Sequence, residues 1–118
     1  MTLSETQAEF AQDIAFLIQH INAYEGGIYY CTFGDAYRDP RSHGKMGDKG
    51  VYGRPYSAHK QRLAVDLNLY KNGVWQRSTK AHEPFGKYWE ALNENNVWGG
   101  LFSSPDGNHY SRRHGGIS

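Results

Sequence analysis

The feature that most limits the possible folds of this chain is strict alternation of side-chain type around residue 66. Apolar residues take every second position and are separated by small, polar or aromatic ones; the first set is Leu63, Val65, Leu67 and Leu69, and the second is Ala64, Asp66, Asn68 and Tyr70. Such alternation is typical of a strand with one buried face. Asn72-Gly73, which follows, is a strong hairpin signal. We therefore predict an antiparallel strand pair with Asp66 opposite the leucines, free to meet a ligand.

Two stretches have the apolar spacing of amphipathic helices. Ser4 and Gln7 match a capping box, and a first helix is predicted over residues 5–24, ending at Glu25-Gly26-Gly27. A second helix is predicted over residues 84–95, with Pro84 in its first turn. Their stripes are expected to pack in the core, and they consist of Phe10, Ile14, Leu17 and Ile21 in the first helix and Phe85, Tyr88, Trp89 and Leu92 in the second.

The remaining segments complete the predicted fold. Residues 28–33 are expected to form a strand that buries Cys31, and His109-Tyr110-Ser111 a short final strand. Residues 39–56 are predicted to be a long exposed loop, either bordering a site or forming a disordered connection. The basic residues 112–114 are interpreted as a solvated tail without a role, and residues 115–118 as loose. The fold class is α+β in a single domain over residues 1–118, a small antiparallel sheet with helices on one face and a metal site on the other.

Composition narrows the function. The formal net charge is +1, which argues against nucleic acid as a partner. Cys31 is the only cysteine, so a metal site must use histidine and carboxylate ligands. The N-terminal residues lack the pattern of a secretory signal, and no stretch approaches the length of a membrane span. We expect synthesis in the cytoplasm without stable membrane insertion.

Two pairs of a histidine and a carboxylate are the strongest indication of a metal site in the sequence. His59 precedes Asp66 by seven positions, and Asp106 precedes His109 by three. A catalytic zinc takes three nitrogen or oxygen ligands and keeps one open position, so His59, Asp66 and His109 are the candidate ligands. Because the spacing of 59 and 66 is odd, His59 is expected on the preceding loop or across a bulge. Each residue taken singly is also explained as an ordinary polar residue.

Asp106 is the candidate catalytic carboxylate. Zinc can lower the pKa of a water molecule to about 7, and a carboxylate outside the metal shell can then take the proton and return it to the leaving amine. Asp106 lies three positions before a candidate ligand, which suits that role. Pro-Asp-Gly-Asn is also good turn chemistry, so a purely structural role stays open.

These motifs together resemble the zinc D-alanyl-D-alanine carboxypeptidases and phage L-alanyl-D-glutamate endopeptidases, whose signature is Ser-x-His-x-x-Gly-x-Ala-x-Asp followed by Asp or Glu-x-x-His. The matching positions, which with the flanking segments cover residues 28–111, are Ser57, His59, Ala64, Asp66, Asp106 and His109, with Trp98-Gly99-Gly100 and Asp35-Ala36-Tyr37-Arg38 as further likenesses. The resemblance implies a fold of the carboxypeptidase and hedgehog type. It also implies Zn²⁺ as cofactor.

The resemblance implies roles beyond the metal. Arg38 would anchor a substrate carboxylate or steady the developing oxyanion, with a surface ion pair as the alternative. Ser57 would support the site or contact substrate, with simple turn chemistry as the alternative. Trp98 would line the substrate groove unless it packs in the core. Two positions depart from the family: Arg62 stands where glycine is usual, and Tyr110 where phenylalanine is common. Arg62 puts in question the backbone path from His59 to Asp66.

The predicted function is hydrolysis of the peptidoglycan stem peptide, at L-Ala-D-Glu or at the terminal D-Ala-D-Ala, by a monomeric phage-type endolysin. A hole-forming partner would release it to the cell wall. The first alternative is a non-catalytic metal-binding or virion-structural relative, although a structural zinc site would have four protein ligands and no need of Asp106. A metal nuclease is weaker still, because the chain has few clustered basic residues to hold DNA.

Overall fold

The computed structural model describes residues 1–34 and 57–118. Arg38 and the predicted loop at 39–56 lie outside the described residues. Within residues 1–34 and 57–118 the α+β fold is confirmed, with two helices and a small antiparallel sheet. In chain order the elements are α1 (Leu3–Ala23), a short 3-10 helix (Tyr24–Gly26), β1 (Tyr29–Phe33), a second 3-10 helix (Ala58–Gln61), β2 (Ala64–Lys71), β3 (Val74–Gln76), α2 (Thr79–Leu92), β4 (Asn96–Trp98), a third 3-10 helix (Gly99–Leu101) and β5 (His109–Arg112).

The sheet is organised around β2. Its strands run in the order β1-β2-β5-β4, and β3 also pairs with β2. The start of β2 pairs with β5, so that Asp66 lies opposite His109, whereas its end pairs with β3, so that Leu69 lies opposite Gln76. Since β5 and β3 share one edge of β2, they leave a gap beside residues 67–68. The predicted hairpin is confirmed, and Asn72 and Gly73 have the positive φ angles of 50° and 79° that its turn requires.

The core lies between the leucine face of β2 and the two helices. Helix α1 packs against β1, β5 and α2, and α2 packs against β4. The predicted stripes are buried as expected at Leu17, Phe85 and Trp89, whereas Cys31 is half-buried instead of buried. Alternation therefore directs Asp66 away from this core, toward the other face of the sheet. Within residues 1–34 and 57–118, no helix has the length and apolar character needed to cross a membrane.

Helix α1 begins two residues earlier than predicted. Its capping box consists of Thr2 and Glu5, not Ser4 and Gln7. The Thr2 hydroxyl accepts from the Glu5 amide at 3.1 Å, and the Glu5 carboxylate accepts from the Thr2 amide at 2.8 Å. Both pairs have the right spacing, but the Thr2 pair lets the helix begin two residues earlier. Gln7 instead donates to the Gln61 carbonyl at 2.8 Å, which ties α1 to the second 3-10 helix.

Helix α2 spans Thr79–Leu92, so the prediction of 84–95 was wrong at both ends. The Ser78 hydroxyl caps it by accepting from the Ala81 amide, and Pro84 lies inside the helix. Proline supplies no amide there, but Lys80, whose carbonyl would have been its partner, is exposed to water. Gly86 is explained by packing, since a Cβ atom would lie 2.1 Å from the Trp98 indole.

The C-terminal segment is not a solvated tail, which corrects the prediction for Arg112. Arg112 is 2% exposed, and its side chain donates to Glu9 at 2.9 Å, to Asp13 at 2.5 Å and to the Asn96 side chain at 2.5 Å. Ile117, expected to be loose, bridges to His114 and packs against the core. A run of basic residues cannot show that one of them faces two carboxylates of a distant helix.

Candidate active site

Three predicted metal ligands lie together on the face of the sheet opposite the leucines. His59 Nε2 lies 3.3 Å from Asp66 Oδ1, and His109 Nδ1 lies 3.6 Å from the same oxygen. One potential ligand atom from each of the three residues lies within 4.8 Å of the others. Both histidines are buried and Asp66 is nearly so. The described residues therefore form a compact cluster of two imidazoles and one carboxylate.

The cluster fits a zinc ion by donor type and by spacing. Ligands about 2.1 Å from a tetrahedral zinc are separated by about 3.4 Å, close to the two measured contacts. Asp66 Oδ1 is buried and has no correctly directed hydrogen bond among the described residues, although both imidazoles are near it. One further nitrogen of each ring, His59 Nδ1 and His109 Nε2, is also buried without a described partner. Buried polar atoms are normally satisfied, so atoms that converge without bonding one another favour a cation between them.

The electrostatics of Asp66 agree with a ligand role. Burial alone raises the pKa of this carboxyl, but the adjacent imidazoles of His109 and His59 outweigh burial and lower the pKa to about 2. Asp66 is therefore ionised at neutral pH. Zinc binds the ionised form of a carboxylate, so no proton has to be removed from Asp66 first.

The second 3-10 helix positions His59. The Ser57 hydroxyl caps this helix by accepting from the His59 amide at 3.2 Å, and Ser57 is itself buried. The Leu63 amide then donates to the Ala58 carbonyl at 2.9 Å and leads the chain into β2. His59 thus lies on the segment before the strand, as the odd spacing predicted. The burial of Ser57 favours support of His59 over the alternative of substrate contact.

Arg62 makes the turn between His59 and β2. Its φ is 57° and its ψ is 36°, the left-handed conformation that glycine adopts most easily. This explains why glycine suits the position in the signature. Arg62 adopts this conformation despite its side chain, and His59 and Asp66 still come within 3.3 Å of one another.

We expect Arg62→Gly to be more stable than Arg62→Ala by about 1 kcal/mol, because an L side chain in this conformation costs about 1–2 kcal/mol and glycine regains part of that cost. Both variants remove the arginine side chain, so their difference isolates the backbone. Urea unfolding midpoints check the prediction. Equal midpoints, or a more stable alanine variant, would contradict it.

The turn before β5 holds Asp106 and His109 in a fixed relation. The Asp106 amide donates to the Gly99 carbonyl at 2.9 Å, and the His109 amide donates to the Asp106 carbonyl at 3.1 Å. A Cβ atom at Gly99 would lie 2.2 Å from the Asp106 carbonyl oxygen and 2.7 Å from His109 Cβ, so this close approach requires glycine. The Asp106 side chain is exposed. The backbone is therefore anchored at both ends while the carboxylate stays accessible.

Trp98 supports this turn from inside the protein. It is 5% exposed, and its indole donates to the Gly107 carbonyl at 2.7 Å. Side chains at Gly86 and Gly100 would both collide with its rings. The structure thus places Trp98 in the core, which was the alternative to the predicted groove-lining role.

A cleft of about 230 Å³ adjoins Asp106. It occupies the gap between β3 and β5, and the residues that line it are Leu67, Asn68, Trp75, Gln76, Arg77, Thr79, His82, Pro105, Asp106, Gly107 and Asn108. His82 shares a 2.9 Å hydrogen bond with the Tyr110 hydroxyl, and burial lowers its pKa to about 4. Asn68, Arg77 and His82 were not among the site residues predicted from the sequence. Alternation with a period of two after the hairpin turn could have placed Arg77 on the same strand face as Trp75. No local sequence pattern, however, indicated that Asn68, Arg77 or His82 lies near Asp106.

Arg38, the predicted substrate anchor, lies outside the described residues, so its role stays a prediction. A sequence model of the D-alanyl-D-alanine carboxypeptidase family matches residues 52–112, slightly more than half of the 118-residue chain. The matched range includes the three residues of the cluster, His59, Asp66 and His109, and also Asp106. No curated protein matches the chain.

Proposed function

Because the chain belongs to the D-alanyl-D-alanine carboxypeptidase family, we propose that it is a zinc-dependent peptidase that hydrolyses the peptidoglycan stem peptide. The bond is either the internal L-Ala-D-Glu bond or the terminal D-Ala-D-Ala bond. The observation that carries the proposal is the buried cluster of His59, Asp66 and His109 with an accessible carboxylate, Asp106, on the adjoining turn. Three protein ligands and a nearby acid are typical of catalytic zinc sites, whereas structural sites close with four ligands.

In the proposed reaction, different residues bind the metal, transfer the proton and position these groups. His59, Asp66 and His109 hold zinc, which when bound supplies the Lewis acidity that activates water and polarises the peptide carbonyl. Asp106 accepts a proton from the attacking water and returns it to the leaving amine nitrogen. Ser57 and Gly99 position these groups through the contacts described above. In this proposal Arg38 stabilises the oxyanion or anchors substrate.

The resemblance of the motifs to phage endopeptidases supports a monomeric endolysin that reaches the cell wall after release from the host cytoplasm. Gel filtration of the zinc-loaded protein tests the oligomeric state.

The decisive experiment measures release of new amino groups from purified peptidoglycan by protein loaded with zinc and by the same protein after chelation. Release that depends on zinc supports the peptidase, and fragment masses identify the bond. If zinc binds with full occupancy but no wall type is cleaved, the protein is instead a non-catalytic metal-binding relative. Plasmid DNA serves as a further substrate and should remain intact.

Zinc should stabilise the fold independently of catalysis. A ligand that binds only the folded state at 100 times its Kd adds about 2.7 kcal/mol to the free energy of unfolding. We expect zinc to raise the Tm of the parent chain and of Glu83→Ala, an exposed control, but not of Asp66→Ala. A Tm of Asp66→Ala that rises with zinc as in the parent would contradict the assignment of this ligand. Differential scanning fluorimetry of the metal-free proteins provides the measurement.

A further inference from the structure

The cleft beside Asp106 has a definite place relative to the metal cluster. Its floor is the part of β2 that neither β3 nor β5 covers, residues 67–68. One wall is the turn that carries Asp106, and the other is the end of β3 with Arg77. Asn68 follows Asp66 by two residues on the same strand face, a separation of about 7 Å. An extended peptide with its reacting bond at the cluster would therefore place its next residue in this cleft.

Arg77 lies on the same face of the sheet as the metal cluster. Trp75 pairs with Tyr70, and Tyr70 shares its strand face with Asn68 and Asp66. The Arg77 guanidinium lies over the Trp75 ring, 4.9 Å from its centroid, so its side chain is on that face too. Stacking of this kind holds the guanidinium in place without using all of its hydrogen-bond donors.

The charges of the cleft are divided between its walls. Among the described residues that line it, Arg77 is the one cation and Asp106 the one anion. His82 is uncharged at neutral pH because its pKa is lowered to about 4 by burial. A substrate between the walls would meet a fixed cation on one side and the proposed proton-transfer group on the other.

We propose that Arg77 binds a free carboxylate on the substrate residue whose nitrogen leaves. This inference rests on the proposed function, because Asp106 returns a proton to the leaving nitrogen and lines this cleft, which puts the leaving half of the substrate there. Both candidate bonds meet the requirement. The leaving D-Ala carries the terminal carboxylate, and the leaving D-Glu, linked onward through its γ-carboxyl, carries a free α-carboxylate. Guanidinium pairs well with carboxylate because its donors match both oxygens.

The test compares matched synthetic stem peptides whose carboxylate on the leaving residue is either free or amidated. We expect the parent protein to cleave the acid with a kcat/KM about 10- to 100-fold higher than the amide, mainly through KM, the range for a charge-assisted hydrogen bond. In Arg77→Gln the ratio of the two kcat/KM values, acid over amide, should fall to about one. Arg113→Gln, the same charge change on an exposed residue outside the cleft, should keep the full preference.

The outcomes separate the inference from the function on which it rests. Cleavage of both peptides by the parent without preference, or a preference that survives in Arg77→Gln, overturns the role of Arg77 and leaves the peptidase intact. Failure of the zinc-loaded parent to cleave either bond in any of the peptides overturns both. Arg77 is exposed, so Arg77→Gln should keep the parent Tm and the parent response to zinc, which excludes misfolding as a cause.

Discussion

Asp106→Ala is expected to lower kcat on peptidoglycan by about 10²–10⁴-fold, the usual contribution of a positioned general base and acid. The variant should keep its zinc affinity, because Asp106 does not belong to the cluster of His59, Asp66 and His109. Stability should change little, since the side chain is exposed and the turn is held by backbone hydrogen bonds to Gly99 and from His109. Activity and zinc affinity should therefore separate.

Asp106→Asn distinguishes catalysis from turn formation. Asparagine suits the turn as well as aspartate does, but it cannot take a proton from water. We expect Asp106→Asn to be as inactive as Asp106→Ala in steady-state cleavage of a stem peptide. Calorimetric titration of each protein with zinc checks that both variants keep the zinc affinity of the parent. If Asn restores parent activity, the residue shapes the turn only, and the proposed mechanism is wrong.

Arg112→Ala is expected to lower the free energy of unfolding by about 3 kcal/mol, because it leaves the Asp13 carboxylate in a largely buried position without its cation. Glu9, the other carboxylate partner, is half exposed and can be hydrated. The expected loss of stability is therefore at the lower end of the range for breaking a buried ion pair. Arg112 connects α1 to the sheet through both carboxylates and reaches β4 through Asn96. Its loss therefore weakens three contacts between elements.

Arg113→Ala is the matched control, because Arg113 is next to Arg112 in the chain but has an exposed side chain. Substitutions at exposed positions usually change the free energy of unfolding by no more than about 0.5 kcal/mol. Chemical unfolding of both variants gives the comparison. The double variant Arg112→Ala with Asp13→Ala should lose less stability than the sum of its two single variants, because the buried carboxylate is removed together with its cation. Equal stability of Arg112→Ala and Arg113→Ala would mean that the network contributes nothing.

Local patterns predicted the parts of this fold that depend on neighbours in sequence. The alternation from Leu63 to Leu69 and the Asn72-Gly73 turn specified a hairpin with Asp66 on the outer face, and the structure confirms both. Helix ends were less well predicted. Two capping patterns competed at the first helix, and Pro84 suggested a start that the Ser78 cap overrides.

The candidate site shows the same division. The types and spacings of His59, Asp66, Asp106 and His109 are in the sequence, and the odd offset between the first two predicted that His59 lies before the strand or across a bulge. The sequence could not show that Trp98 fills the space between Gly86 and Gly100, or that Arg77 and Asp106 face one cleft. These relations join segments that no local period connects.

The sequence by itself thus determined the fold class, the buried face of β2 and the residues able to bind a metal, because these depend on side-chain chemistry and on periods of two and 3.6 residues. Only the tertiary structure decided that Asp66 lies opposite His109, that Arg112 is buried against α1 and that a cleft opens beside Asp106. The physical reason is that strand pairing and packing bring together residues far apart in the chain. Their partners are selected by the burial and hydrogen bonding of the whole molecule.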